Sequence, residues 1–364
     1  MSKIRFLFSA SLTFGLIASV LPSANASEVE KSVSVSGHVN RAVVVSDNGE
    51  STTIGQIDNS SVSGSRFRVV SSAKSAAMTI GATIELGVQG DGSASTHNDT
   101  STTSISLRHS FVSASNSMGT LSFGHTGAAD NDLTSMKLNG TSEAGFYDDS
   151  VIAGEELHVS GNTGTAGSGV TVSDILVDSI SSRSSVVKYQ TPTMGGFTGI
   201  VGYSHQDHGS ARLTYAADYD GTNVRATGGW GSRGAASINS VWGGSMAVSL
   251  ANGLNGSLAY SQRNLNGKVT ANTGISDPEM IGASLGYTMG ANGITAWYQQ
   301  VNDLASTTDA ANGNEAESYA LVFQHNMTDY GTAIYGGIQN VEYKTSTTNY
   351  DDITAGWVGI KVTF

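Results

Sequence analysis

Apolar and polar residues alternate along most of the chain, which is the pattern of a β-strand with two different faces. In residues 78–88 (MTIGATIELGV) every second residue, from Met78 to Val88, is apolar, whereas Thr83 and Glu85 share the opposite face. The stretch has the ~9–11 residues that a tilted strand needs to cross the hydrocarbon layer of a membrane. The alternation therefore predicts a membrane-spanning strand.

Sixteen stretches of this kind recur along the chain. They are residues 33–45, 65–70, 78–88, 104–112, 119–125, 184–190, 196–204, 211–219, 223–231, 242–250, 254–262, 280–288, 293–300, 318–326, 332–341 and 354–364. We expect an all-β protein, a transmembrane antiparallel β-barrel of sixteen strands. A barrel of about this size leaves an aqueous channel that side chains cannot fill.

The connections between these stretches differ in length, which gives the barrel an orientation. Some are tight turns, around Asp220-Gly221, Asn252-Gly253, Asn292-Gly293 and Tyr330-Gly331. Others, such as residues 47–64 and 301–317, are long and polar. Barrels of the outer membrane have short periplasmic turns and longer outer loops, so the pattern favours that location.

The chain ends within a strand, VGIKVTF, which predicts how the barrel closes. The last strand would pair with the first and so leave no free edge. Lys361 would face the lumen, and four apolar residues would face lipid: Val358, Ile360, Val362 and Phe364.

The N-terminus reads as a secretory signal, with Lys3 and Arg5 before an apolar run and Ala24-Asn25-Ala26 as the cleavage pattern. We expect residues 1–26 to be removed and residues 27–364 to form a single barrel domain. A permanent membrane helix is the alternative, but the apolar run is short and contains several serines.

Charge and composition narrow the function classes. The formal net charge of −12 argues against binding to nucleic acid, and the chain has no cysteine for disulfides or thiolate metal sites. A soluble β-sandwich would carry more charge outside than the 13% of charged residues found here. A secreted solenoid adhesin would need a fixed short repeat, and we find none.

Several segments resemble the trimeric general porins of Gram-negative outer membranes. Residues 34–49 are similar to their first strand and residues 65–69 to their second. Residues 108–126 (RHSFVSASNSMGTLSFGHT), 186–197 (VVKYQTPTMGGF) and 250–267 resemble later hairpins, and the C-terminal Phe also fits. The order and spacing of these motifs carry the resemblance, which runs from about residue 32 to the end.

The resemblance implies a homotrimer in the outer membrane, through which ions and small hydrophilic solutes diffuse passively. It implies that the loop between His125 and Arg183 folds into the lumen and carries carboxylates that face arginines on the wall. His125 stands where many relatives have Arg. The resemblance also implies that the barrel assembly machinery reads the C-terminal strand, with Phe364 as the assembly signal.

Strand parity selects the basic side chains that would line the constriction. Arg66 and Arg68 flank Phe67 and share the opposite face, while Arg108 follows Leu107 and Lys188 precedes Tyr189. The resemblance adds Arg183. Strict alternation points Arg41 outward, so it is left out. Snorkelling to the membrane interface, or solvated charge at the rim of the barrel, is the alternative for each of these residues.

The acidic side of the constriction is predicted on the inward loop. The candidates are Asp130, Asp132, Asp148 and Asp149. Opposed charges across a narrow lumen would create a transverse field that orders water and penalises the passage of apolar solutes. The net negative charge of the chain favours cations, but arginines at the narrowest point would reverse that preference.

No catalytic motif is present, so we expect no enzyme activity and no cofactor. His205-x-x-His208 lacks a third ligand at a useful spacing, and DYDGTN (residues 218–223) fits a hairpin turn better than a calcium loop. The sequence is interpreted as a diffusion porin. A substrate-selective channel and a secreted adhesin remain the alternatives.

Overall fold

The computed structural model describes nine ranges of the chain. They are residues 29–89, 104–147, 150–161, 168–176, 183–204, 208–233, 238–266, 277–304 and 313–364. The predicted signal segment 1–26 lies outside these ranges. Within them, no helix is long and apolar enough to cross a membrane.

The described part of the chain is almost entirely β-structure. The strands are β1 (Glu30–Asp47), β2 (Thr52–Asp58), β3 (Arg66–Lys74), β4 (Thr79–Gln89), β5 (Ser104–Asn116), β6 (Gly119–Gly127), β7 (Arg183–Gln190), β8 (Phe197–Ser204), β9 (His208–Tyr219), β10 (Thr222–Ser232), β11 (Ile238–Ser249), β12 (Leu254–Leu265), β13 (Glu279–Met289), β14 (Asn292–Asn302), β15 (Glu315–Met327), β16 (Thr332–Lys344) and β17 (Ile353–Thr363). Two short helices, α1 (Ser60–Ser63) and α2 (Val172–Ile175), and the 3-10 turn Thr328–Tyr330 complete it.

The strands form one closed antiparallel barrel. β1 pairs with β17, from His38 opposite Thr363 to Asp47 opposite Thr354. On its other edge, β1 pairs first with β3 and then with β2, so these two segments form one interrupted strand of the wall. The wall therefore has sixteen strands, and the predicted fold class and closure are confirmed.

One part of the sequence interpretation was wrong. Residues 47–64, predicted as a long polar loop, contain a short turn, β2 and α1. The two isoleucines of β2 lie on opposite faces, since Ile54 is 72% exposed and Ile57 is 1% exposed. This strand consequently has no apolar face of the kind that period-two alternation detects.

The outer face of the barrel is apolar. Large hydrophobic side chains occupy exposed outward positions along the strands and alternate with inward-facing residues. Contact with lipid requires this pattern. The last strand follows the prediction, with four outward residues more than two-fifths exposed: Val358, Ile360, Val362 and Phe364. The backbone of Phe364 pairs with that of Gly37 on β1 through hydrogen bonds of 2.9 and 3.0 Å.

Among the described residues, an extended apolar core lies inside the barrel. It forms where the connection between β6 and β7, residues 128–182, which we call the inner loop, packs on one side of the inner wall. The loop contributes Phe146, Ile152, Leu157, Val172 and Ile175. The wall contributes inward residues of β1, β2 and β12 to β17, among them Val44, Ile57, Met280, Trp297, Val301, Tyr343, Ile353 and Trp357. Burial of these side chains holds the loop within the lumen.

Candidate channel constriction

Three arginines on the opposite side of the lumen converge on one carboxylate. Glu85 of β4 has no exposed side-chain surface, and its Oε1 lies 2.8 Å from Nε of Arg108. Arg68 donates to Oε2 of Glu85, and Nη1 of Arg66 lies 3.6 Å from Oε1. A buried carboxylate needs such partners, because an isolated buried charge is costly. Glu85 therefore holds the three guanidinium groups on the lumen wall.

A β-bulge in β5 explains how Arg108 reaches this cluster. Opposite the Glu85–Leu86 step of β4, the register passes from His109 to Leu107 and leaves Arg108 as the extra residue. Bulges re-aim side chains next to functional sites. Arg108 and His109, although consecutive, both point into the lumen, where His109 Nδ1 lies 3.0 Å from Thr126 Oγ1.

Further basic side chains extend this wall across β7 and β9. Arg183 donates from Nε to His109 Nε2 at 3.3 Å, and Lys188 donates to the Gly127 carbonyl at 3.0 Å. Arg212 of β9 donates to the Asn131 carbonyl at 2.7 Å. The structure thus places all five predicted basic residues on the lumen side of three alternate strands, β3, β5 and β7.

The predicted acidic residues have separate environments. Asp132, with φ of 60°, is exposed at the start of the inner loop, and its charge acts on Arg183, Lys188 and Arg212. Asp130 is buried, and its Oδ2 lies 2.7 Å from Nη1 of Arg233. Asp130 thereby fastens the loop to the end of β10. Asp148 and Asp149 lie outside the described residues.

The described residues of the inner loop between 128 and 150 contact the wall strand after strand, from β9 to β16. Its hydrogen bonds go to successive strands: Ala129 to Ser210 (3.1 Å), Leu133 to Ser245 (2.6 Å), Thr141 to Thr295 (2.8 Å), Glu143 to Gln324 (2.9 Å) and Ser150 to Gln339 (3.1 Å). At β13, an added Cβ on Gly282 would lie 2.6 Å from the Tyr147 ring, so only glycine leaves room for that ring. The loop occupies the side opposite Arg66, Arg68 and Arg108.

A polar network at the seam of the barrel fixes the middle of the loop. Tyr335 of β16 donates to Asn40 Oδ1 at 2.6 Å and accepts from Asn59 Nδ2 at 3.0 Å. Lys361 of the last strand lies 2.7 Å from Glu143 of the loop. Lys361 faces the lumen, as predicted.

Sequence reasoning missed Glu85, Arg212 and Arg233. Parity placed Glu85 on the lumen face of β4, but its arginine partners come from other strands and from a bulge. Arg212 alternates with Ala211 and Leu213, a signal that could have identified it. Arg233 lies just after β10, where alternation gives no orientation.

Comparison with known proteins agrees with this architecture. A family model described as a Gram-negative porin matches residues 11–346. The chain belongs to the Gram-negative porin family. The porin is therefore an outer-membrane channel, and the sequence interpretation of its class and location is confirmed. No curated protein matches it in a sequence comparison.

Solved structures share the fold of this porin at low sequence identity. The anion-selective porin from Comamonas acidovorans is 18% identical, with a TM-score of 0.58, over 92% of this chain and 100% of that one. OmpT, an outer membrane protein of Vibrio cholerae, is 14% identical, with a TM-score of 0.55, over 94% and 100%. A mutant of the Rhodopseudomonas blastica porin is 13% identical, with a TM-score of 0.54, over 92% and 100%.

Proposed function

We propose that ions and small hydrophilic solutes diffuse passively between the inner loop and the wall formed by β3 to β8, and that small anions are preferred. The observation that carries the proposal is the uneven exposure of charge. Arg68 keeps 43% of its side chain exposed, whereas its partner Glu85 exposes none. Solutes on this path would meet guanidinium groups and not the carboxylate beneath them.

The charges around this cluster also favour anions over cations. Arg183, Lys188 and Arg212 add positive charge on the wall, and Asp132 is the exposed carboxylate near them. Fixed charges at a narrow, low-dielectric passage set local ion concentrations regardless of the net charge of the whole chain. The proposal contains no catalytic step and no cofactor. The solved porin from Comamonas acidovorans is itself described as anion-selective.

The experiment compares two arginine deletions in planar bilayers with a salt gradient. Arg68→Ala should reduce the ratio of anion to cation permeability. Arg225→Ala is the matched control, because Arg225 lies on the lumen face of β10, nearer the short-turn end of the barrel. Equal shifts of the reversal potential in the two variants would contradict the proposed path.

We also propose a homotrimer that assembles through one arc of the outer wall. On β1 to β5 and on β16 and β17, most of the described outward residues are Val, Ile or Leu, and the exposed aromatic residues there are two phenylalanines, Phe67 and Phe364. β8 to β15 carry exposed aromatics: Phe197, Tyr203, Tyr219, Trp230, Trp242, Tyr287, Tyr319 and Phe323. Aromatic girdles mark surfaces that meet the membrane interfaces, so the aliphatic arc suits subunit contact.

Two further steps of export and assembly belong to the proposal. Residues 1–26 would be removed during export as a signal peptide. The assembly machinery would then recognise the last strand through Phe364, whose side chain is 64% exposed. Deletion of Phe364 should lower the amount of folded porin recovered in outer membranes, and undiminished recovery would contradict this role.

A further inference from the structure

A groove with a volume of about 490 Å³ lies in the wall where β7, β8, β9 and β10 meet. Its lining includes three small residues on successive strands, Gly199, Ala211 and Gly228. Larger side chains alternate with them, since Leu213 lies between Gly199 and Gly228, and Ala211 lies between Val201 and Trp230. The volume falls in the ~300–1,000 Å³ range of ligand sites.

The groove opens on the outer face of the barrel and not on the lumen. Its side chains occupy the exposed outward positions of their strands, including Val201, Leu213 and Trp230. On the inner side, Leu133 of the inner loop packs against Gly229, where an added Cβ would lie 2.8 Å from Leu133 Cδ2. The loop therefore fills the wall from inside, and the groove faces outward.

The chemistry of the groove fits a hydrocarbon chain. Its accessible surface is almost wholly apolar, and the hydroxyl of Tyr189 already donates to the Met118 carbonyl. At its short-turn end lies Thr191, directly after β7, and at its other end lies Trp230, two residues before the end of β10. A molecule in the groove would thus lie along the hydrocarbon layer.

The position of the groove on the barrel favours lipid, and not a protein, as its occupant. It lies on the arc that carries exposed aromatic residues, away from the aliphatic arc of β16, β17 and β1 to β5. An aromatic arc is the surface that membrane lipid covers. We propose that the groove binds one acyl chain of a phospholipid of the periplasmic leaflet, which enters at the short turn near Thr191.

One tryptophan serves as the reporter for this binding. Trp230 lines the groove, and Trp242 lies directly opposite it on β11, with 46% and 41% exposure. The other two tryptophans, Trp297 and Trp357, are buried inside the barrel at 4% and 6% exposure. Because the two rings are neighbours, Trp242→Phe is needed to leave Trp230 as the single outward reporter.

The experiment titrates the full-length folded porin, in detergent micelles, with phosphatidylcholine that carries brominated acyl chains, which quench indole fluorescence on contact. Trp230 should be quenched to saturation at a near-stoichiometric ratio of lipid to protein. Quenching that rises only gradually with the lipid content of the micelle, without saturation, would overturn the proposal.

Filling the groove supplies the control. Ala211→Phe in the Trp242→Phe background should abolish the saturable quenching of Trp230. Gly228→Leu is the second filling variant, since the nearest atom to an added Cβ there is 3.8 Å away and folding should be unaffected. Retention of saturable quenching in a folded filled variant would overturn the site.

The lipid source is tested by competition. Unlabelled phosphatidylcholine should restore Trp230 fluorescence, and lipopolysaccharide at the same acyl-chain concentration should restore much less. Equal restoration by lipopolysaccharide would overturn the assignment to a phospholipid of the periplasmic leaflet.

Discussion

Glu85 determines the positions of the arginine side chains of β3 and β5 in the lumen. Its carboxylate accepts from Arg68 and Arg108 and lies close to Arg66. Three like charges would otherwise repel each other on one small area of wall. The same carboxylate offsets part of their charge, so it affects both their position and the ion selectivity of the passage.

Glu85→Gln should make the porin more selective for anions. A unit charge about 6 Å from the path contributes about 0.7 kcal/mol in a water-like dielectric, or roughly threefold in relative permeability. The reversal potential in a dilute salt gradient measures this change. Glu342→Gln is the control, because Glu342 lies on the outer face of β16 beside Lys344. A shift of equal size in both variants would contradict the role of Glu85.

His158 links the inner loop to the segment between β16 and β17. Its Nδ1 lies 3.1 Å from Asp351 Oδ2, and this hydrogen bond lowers the pKa of Asp351. A carboxylate with a lowered folded-state pKa stabilises the contact above its unfolded pKa, and the contact is lost as pH falls through the folded value.

The current noise of single channels should therefore stay constant from neutral pH to about pH 4, near the ordinary pKa of aspartate, and rise only below it. Asp351→Asn removes the charge and should raise the noise already at neutral pH. If the current noise of the native porin already rises at pH values well above the titration range of aspartate, this contact does not contribute as described.

At the scale of elements, the inner loop is held by an apolar core as well as by hydrogen bonds. Its described segments bury side chains such as Ile152 and Val172, both 0% exposed, against the wall. The core fixes the loop against β12 to β17. The width of the proposed passage along β3 to β8 consequently depends on this packing.

Ile152→Ala should loosen the inner loop, because a large-to-small change in a core costs about 2–5 kcal/mol. We expect larger fluctuations of the open-channel current in planar bilayers. Ile281→Ala is the matched control, since Ile281 faces outward on β13, away from the proposed subunit contact, and is 40% exposed. Equal current noise in the two variants would show that the core does not hold the loop.

How far the sequence predicted these elements depended on periodicity. Regular alternation identified sixteen wall strands and the lumen face of Arg66, Arg68 and Lys188. It could not find β2, whose isoleucines face opposite sides, or the inward turn of His109, which depends on a bulge. The core residues of the inner loop, such as Phe146, follow no period, so their packing is set by the tertiary structure alone.

At the scale of the whole molecule, the outer wall has two different arcs. Val358 of β17 lies on the aliphatic arc and Leu258 of β12 on the aromatic arc, and each is 59% exposed. A bulky side chain is tolerated next to fluid lipid but overpacks a protein interface. These two positions therefore distinguish subunit contact from lipid contact.

Val358→Trp should lower the temperature at which the oligomer dissociates on a detergent gel, and Leu258→Trp should leave it unchanged. Barrel folding is checked in both variants by heat-modifiable migration of the monomer. Loss of oligomer stability in the Leu258 variant alone would place the interface on the other arc.

The most direct test of the central claim is the current through the native porin in a planar bilayer separating two potassium chloride concentrations. We predict discrete conductance steps and a reversal potential whose sign indicates that chloride passes more readily than potassium, because the exposed charges along β3 to β8 are mainly positive. Folded porin that gives no conductance, or a reversal potential of the opposite sign, would contradict a water-filled passage along the basic wall.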